Sequence, residues 1–173
     1  QAGAARIYYR AGSVDLHGFA QYATSSGGSV GAAAAWVASD ALELHASARY
    51  VRRSSGLELE AASTLLPTRS PWHPQMQNNV VQALLGASWT SETQQNVLLE
   101  AWWDGAAPAA AQWKQWNQRN RALTVAASAL PQWRQAIAYN LAWQSGFMSA
   151  SENLQRTNLF ARWSWQSGAW QPA

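Results

Sequence analysis

His17 follows Asp15 by two residues, and His45 follows Glu43 by two. On an extended strand that spacing puts both members of each pair on one face. An imidazole beside a carboxylate can act as an acid–base couple or supply two ligands to a metal. With three histidines and no cysteine in the chain, these four residues are the only candidates for such chemistry, and they would have to converge from adjacent or next-adjacent strands. No Gly-x-Ser-x-Gly elbow, His-Glu-x-x-His helix or paired-carboxylate spacing accompanies them. The expectation is therefore no catalytic residue, no metal and no cofactor, with both histidines hydrogen-bonded in a polar face.

The elements that hold these residues alternate with period two. In 41–53, Leu42, Leu44, Ala46, Ala48 and Tyr50 oppose Glu43, His45, Ser47 and Arg49, the pattern of a strand with two unlike faces. The same pattern predicts strands over 13–23, 28–38, 79–91, 95–104, 120–129, 134–145 and 156–166. Tight turns fall near Ser39, Thr93 and Pro131, and long connections over 54–78, 105–119 and 146–155. Tight turns on one side and long loops on the other are what a β-barrel threaded through a membrane requires, and a soluble sandwich has no reason to sort its loops this way.

Aromatic positions test this partly independently, because Trp and Tyr collect at the headgroup level. Trp36, Trp89, Trp133 and Trp165 lie at the predicted tight-turn ends, and Tyr22, Tyr50, Trp103 and Trp143 at the loop ends. Tyr139 and Trp163 are mid-strand exceptions. Among the connections, Leu57-Glu58-Leu59-Glu60 prolongs its strand, whereas three prolines in 67–74 exclude regular structure there. Residues 107–119 suit a short helix with Pro108 in its first turn and Trp113 and Trp116 on one face. Trp72, Trp113 and Trp116 could stack on a ligand or anchor the loops.

On these strands, turns and aromatic rows the chain resembles bacterial outer-membrane β-barrels as a class, over residues 13–166. The resemblance implies an all-β, antiparallel up-and-down transmembrane β-barrel of about eight strands, or part of a larger one. Ile7 and Tyr9 alternating with Arg6, Tyr8 and Arg10, and the turn-like Ser167-Gly168-Ala169-Trp170, favour the larger one. The implied function is a pore, or a barrel section of an export or uptake channel, in the outer membrane. Asp15, His17, Glu43, His45, Arg49, Glu100, Asp104, Arg134 and Arg162 would line the lumen. Lipids and lipopolysaccharide would be the partners, with Arg52-Arg53 and Arg119/Arg121 near lipid phosphates, and other barrel segments or an export apparatus would adjoin.

Composition agrees with an alternating membrane protein. The chain is 48% apolar with only 12% charged residues, yet its mean hydropathy is −0.29, as alternation produces. No run of eighteen apolar residues is present, which excludes a transmembrane helix. Lys114 is the sole lysine among twelve basic residues, and the +3 charge is spread along the chain, so nucleic acid is not an expected partner. Gln1 to Ala5 lacks the basic start and apolar stretch of a signal peptide; an exported form would be mature or trimmed. The alternative is a soluble Trp-rich β-barrel or sandwich binding carbohydrate, with Leu42, Leu44, Leu85, Leu99, Ile137 and Leu141 packed inside. A third reading is a membrane-barrel hydrolase using His17 and His45.

Overall fold

The computed structural model describes residues 1–60, 70–149 and 153–165. Seven strands, β1 (Ala2–Ala11), β2 (Val14–Ala23), β3 (Gly27–Ser39), β4 (Leu42–Leu59), β5 (Trp72–Thr90), β6 (Gln95–Asp104) and β7 (Thr157–Trp165), form one sheet in sequence order. β1 to β4 pair antiparallel in turn, as do β5 to β7. The sheet is up-and-down and open, with β1 and β7 at its edges. Between β6 and β7 lie two helices, α1 (Ala110–Ala129) and α2 (Arg134–Ser149), joined by a 3-10 turn at Pro131–Trp133.

The chain divides into two compact units, the first made of Gln1–Ser54, Gln77–Gly105 and the segment from Thr157 onward, the second of Ser55–Met76 and Ala106–Arg156. In the first, register keeps each face uniform from strand to strand. Tyr9 pairs with Leu16, Leu16 with Ala34 and Ala34 with Ala46; across β5 to β7, Leu85 pairs with Ala101 and Ala101 with Leu159. A one-residue slip would exchange the faces. Gly12, with φ +61°, supplies the two-residue turn between β1 and β2, where a primed turn matches strand twist. Between β3 and β4 the register shifts at Val37/Ser39, a bulge beside the turn.

The apolar face is uncovered. Every exposed large apolar side chain of this unit lies on it except Tyr8, Val37 and Phe160, and Leu85 and Leu99 in its middle are 66% and 53% exposed. The other face is the more sheltered one: His45, Ser47 and Arg49 are half-buried while Ala46, Ala48 and Tyr50 between them are exposed. That inverts the usual order for a protein in water, where apolar side chains are the most often buried.

The second unit corrects two strand expectations, since 120–129 and 134–145 are helical. Alanine, arginine, glutamine and leucine dominate these segments, and all favour helix. In α2 the buried set is Ile137, Asn140 and Gln144 with Leu141 half-buried, a helical period. Two of its core positions are polar, so Ile137, Tyr139, Leu141 and Trp143 show a false period of two in the sequence. Gln144 is 0% exposed; it donates to Asn140 Oδ1 and accepts from Trp116 Nε1 at 2.7 Å. α1 starts after Pro108, with the Gln112 side chain accepting from the Ala109 N–H at 2.8 Å, and runs well past residue 119. Leu59 and Trp72 pack with Leu57, Trp113 and Trp116.

Two further expectations change. β4 does extend through Leu57 to Leu59, but β5 begins at Trp72 and includes Pro74. β6 pairs with β5 only over 82–90, so Pro74 lies where β5 has no β6 neighbour, a position that tolerates a missing N–H. Pro67, Thr68 and Arg69, and the segment Ser167–Trp170, fall outside the described residues. The count among described residues is seven strands, and the sheet is not closed into a barrel. Residues 12–13, 40–41 and 91–94 join strands at one end, and 24–26, 60–71 and 105–156 at the other; the last two are long, while 24–26 is a three-residue turn on the long-loop side. The predicted tight turn at Pro131 joins helices instead.

Candidate functional site

Asp15, His17, Glu43, His45, Arg49, Glu100, Asp104 and Arg162 all lie in strands of the first unit, at alternate positions on the face opposite the exposed apolar one. His45 Nε2 stands 3.1 Å from Glu100 Oε1, each side chain 23% exposed. The pair spans β5 because Gly86, opposite Glu100, leaves room for the ring: a Cβ there would lie 2.2 Å from His45 Nε2. Arg49 donates to Ser29 Oγ at 3.2 Å and Gln21 Oε1 at 3.4 Å. Gln82 donates to Asp104 Oδ1 at 3.2 Å.

Near the free edge a second cluster forms. Arg6 Nη2 is 2.9 Å from His17 Nδ1, Tyr8 donates to Asp15, and Arg10 Nε lies 3.8 Å from the same carboxylate. The Tyr8 and His17 rings are 4.9 Å apart. Arg6, Tyr8 and Arg10 were not among the expected lining residues, although their alternation with Ile7 and Tyr9 is a readable signal. So is a glycine interrupting a strand, which often marks close approach of another group; Gly86 does so here.

The convergence that a catalytic or metal site would need does not occur between His17 and His45, each of which is hydrogen-bonded separately. They lie two strand spacings apart, about 10 Å, and each meets a different partner. Glu43 is exposed opposite Val37, and Arg162 is exposed opposite Leu98. Among the described residues no three His, Asp or Glu side chains gather as a metal site. The face also carries Phe19, Leu84, Leu98, Trp102 and Phe160. Chemically, the arrangement is a set of separate polar contacts, of which Arg10–Asp15 joins two opposite charges, interleaved with apolar side chains.

The aromatic residues form two rows on the apolar face. Trp36, Trp89, Trp163 and Trp165 lie toward the tight-turn end, and Tyr22, Tyr50 and Trp103 toward the other. Trp163 is no exception: Val97 pairs with both Trp89 and Trp163, placing them level. From Leu44, opposite Trp36, to Tyr50 is six residues, as it is from Val97, opposite Trp89, to Trp103, so the rows are about 20 Å apart along the strands.

Trp133 and Trp143 belong to neither row. Trp133 is in the 3-10 turn and Trp143 in α2. Arg134, expected in the lining, is exposed at the start of α2. Arg119 is buried in α1, where burial lowers its pKa from the ordinary arginine value, so it is no surface contact for phosphate; Arg121 is exposed. Trp72, 4% exposed, packs at 5.3 Å from Trp113, which meets Trp116 edge-on at 5.4 Å, and Trp113 Nε1 donates to the Leu154 carbonyl at 2.6 Å. The three are packed against one another, Trp72 buried and Trp113 and Trp116 half-buried.

Among the described residues no helix is long and apolar enough to cross a membrane, which does not bear on strands. Comparison of the chain with models of protein families, with curated proteins and with solved structures finds no match.

Proposed function

We propose that the sheet is part of a transmembrane β-barrel of the bacterial outer membrane, forming a pore or a barrel section of an export or uptake channel. The observation that carries this reading is the inverted burial: an unbroken apolar face stays exposed while the charged face is sheltered. A contiguous apolar patch of this extent is rare on soluble monomers, but it is what a lipid-facing band requires. Aromatic rows at both ends of the band and two long connections, 60–71 and 105–156, at one end of the sheet support the same reading. The packed apolar core that a soluble sandwich needs has no counterpart on this face.

In hydrocarbon the backbone groups along β1 and β7 would need partners, so the barrel is completed by further strands. With seven strands in meander order, β1 and β7 run in the same direction. All-antiparallel closure therefore takes an odd number of additional strands, from the same polypeptide or from an adjoining barrel segment. The lining would then select solutes through Arg49, Glu100, the His45 pair and the Arg6–His17 cluster.

Conductance across a planar bilayer is the deciding test. Discrete channel openings whose cation–anion preference shifts on Glu100→Gln are expected. An insulating barrel would sink the pore reading and leave a structural role.

A further inference from the structure

At the long-connection end of β2, β3 and β4 the apolar face carries a cation. Arg52 lies two residues beyond Tyr50 in β4, on the same face, and its side chain is exposed. Gly27, with φ +71°, lies against its stem: a Cβ there would be in ordinary contact with Arg52 Cδ at 3.4 Å. Arg53 is different, since its guanidinium donates to the Thr24 carbonyl at 3.2 Å. Arg52 has no hydrogen-bond or ion-pair partner among the described residues.

Beneath Arg52 runs an open groove of about 790 Å³, whose lining includes Ala5, Ala20, Tyr22, Val30 and Tyr50. The Tyr50 hydroxyl donates to Asn79 Oδ1 at 2.5 Å, which fixes the ring at the groove's edge. A groove lined mostly by small apolar residues, with Gln1, Gln21 and Ser29 also on it, bordered by two tyrosines and ended by an uncommitted guanidinium, matches an amphiphile with an anionic head. Tyr rings favour headgroup depth, guanidinium binds phosphate oxygens through paired N–H donors, and an acyl chain on the apolar floor removes hydrocarbon surface from contact with the headgroup layer.

Resting on the membrane reading, we propose that Arg52 and this groove bind the phosphorylated glycolipid of the outer leaflet. One lipid phosphate sits on the Arg52 guanidinium, and an acyl chain passes over the row Ala5, Ala20 and Val30, level with Tyr50, toward the middle of the apolar band. The leaflet follows from the sorted connections, because the long-loop end of an outer-membrane barrel faces outward.

The test is a titration of the protein in detergent micelles with bisphosphorylated lipid A, with its dephosphorylated form and with phosphatidylglycerol, followed by native mass spectrometry. Loss of one charge-assisted phosphate contact should weaken lipid A binding to Arg52→Gln by about tenfold. Lys114→Gln, at an exposed position of α1, should bind as the unmodified chain does. Ala20→Phe fills the groove while keeping Arg52, and should also weaken binding; folding of each variant is checked by circular dichroism. The proposal is overturned if Arg52→Gln binds lipid A normally, if dephosphorylated lipid binds equally well, or if phosphatidylglycerol or inorganic phosphate competes as effectively as lipid A. A chain that stays monomeric in buffer without detergent would instead remove the membrane reading itself, before any lipid is added.

Discussion

The His45 imidazole meets the Glu100 carboxylate at 3.1 Å across an intervening strand, because Gly86 between them carries no side chain. The three residues tie β4, β5 and β6 together on the charged face. Gly86→Ala puts a Cβ 2.2 Å from the present position of His45 Nε2, so the ring must swing away and leave Glu100 without this partner. A loss of about 1–3 kcal/mol in folding stability is expected, measured by urea unfolding in vesicles. If the clash is the cause, adding His45→Ala to Gly86→Ala costs less than the sum of the two single changes.

Gly31 is confined by backbone as well as by a ring. A Cβ there would lie 2.3 Å from Phe19 Cζ and 2.7 Å from the Ala48 carbonyl oxygen. The phenyl ring can move but the backbone of β4 cannot move easily. Gly31→Ala should destabilise by about 1–3 kcal/mol, as overpacking does, and Phe19→Leu should restore only part of it. Full rescue would show that the ring alone sets the limit.

In the helical unit the buried Gln144 accepts from Trp116 Nε1 and donates to Asn140. Gln144→Met keeps the volume but leaves the indole N–H and the Asn140 amide without this bridge. Unsatisfied buried groups make a loss of about 2–3 kcal/mol the expected result, read from the thermal loss of the helical circular-dichroism signal. An unchanged melting curve would mean that the bridge contributes nothing to the unit.

Substitutions on the exposed apolar face should respond to lipid rather than to packing. Leu85→Arg, between the two aromatic rows, should lower folding stability in vesicles by about 2–4 kcal/mol, the midplane value for a lipid-facing arginine. Val125→Arg, on an equally exposed apolar position of α1, should change stability by less than about 0.5 kcal/mol. Equal small effects at both positions would contradict a lipid-facing sheet.

The sheet is legible where one face is uniform. Residues 41–50 alternate without a break, and β4 places the Leu42 and Glu43 sets on opposite faces. The helices are not, for a physical reason: Asn140 and Gln144 occupy core positions of α2 and satisfy one another there, so polarity does not report burial. Arg119 misleads in the same way from α1. The lining residues could be assigned a face but not partners, because pairing depends on register, and His45 reaches Glu100 only through the gap at Gly86. The helical excursion removes two strands from the expected eight and β1, outside that set, adds one, so seven form an open sheet.

Because the chain has no cysteine, single cysteines can be introduced and spin-labelled one at a time along β5 and β6. In reconstituted vesicles, labels at 85, 87, 99 and 101 should collide with molecular oxygen dissolved in the lipid, and labels at 84, 88, 98 and 100 with a water-soluble nickel chelate, alternating residue by residue. Labels at 85 and 99 that are shielded from oxygen, or that meet the nickel chelate as freely as their neighbours, would contradict a lipid-facing apolar sheet.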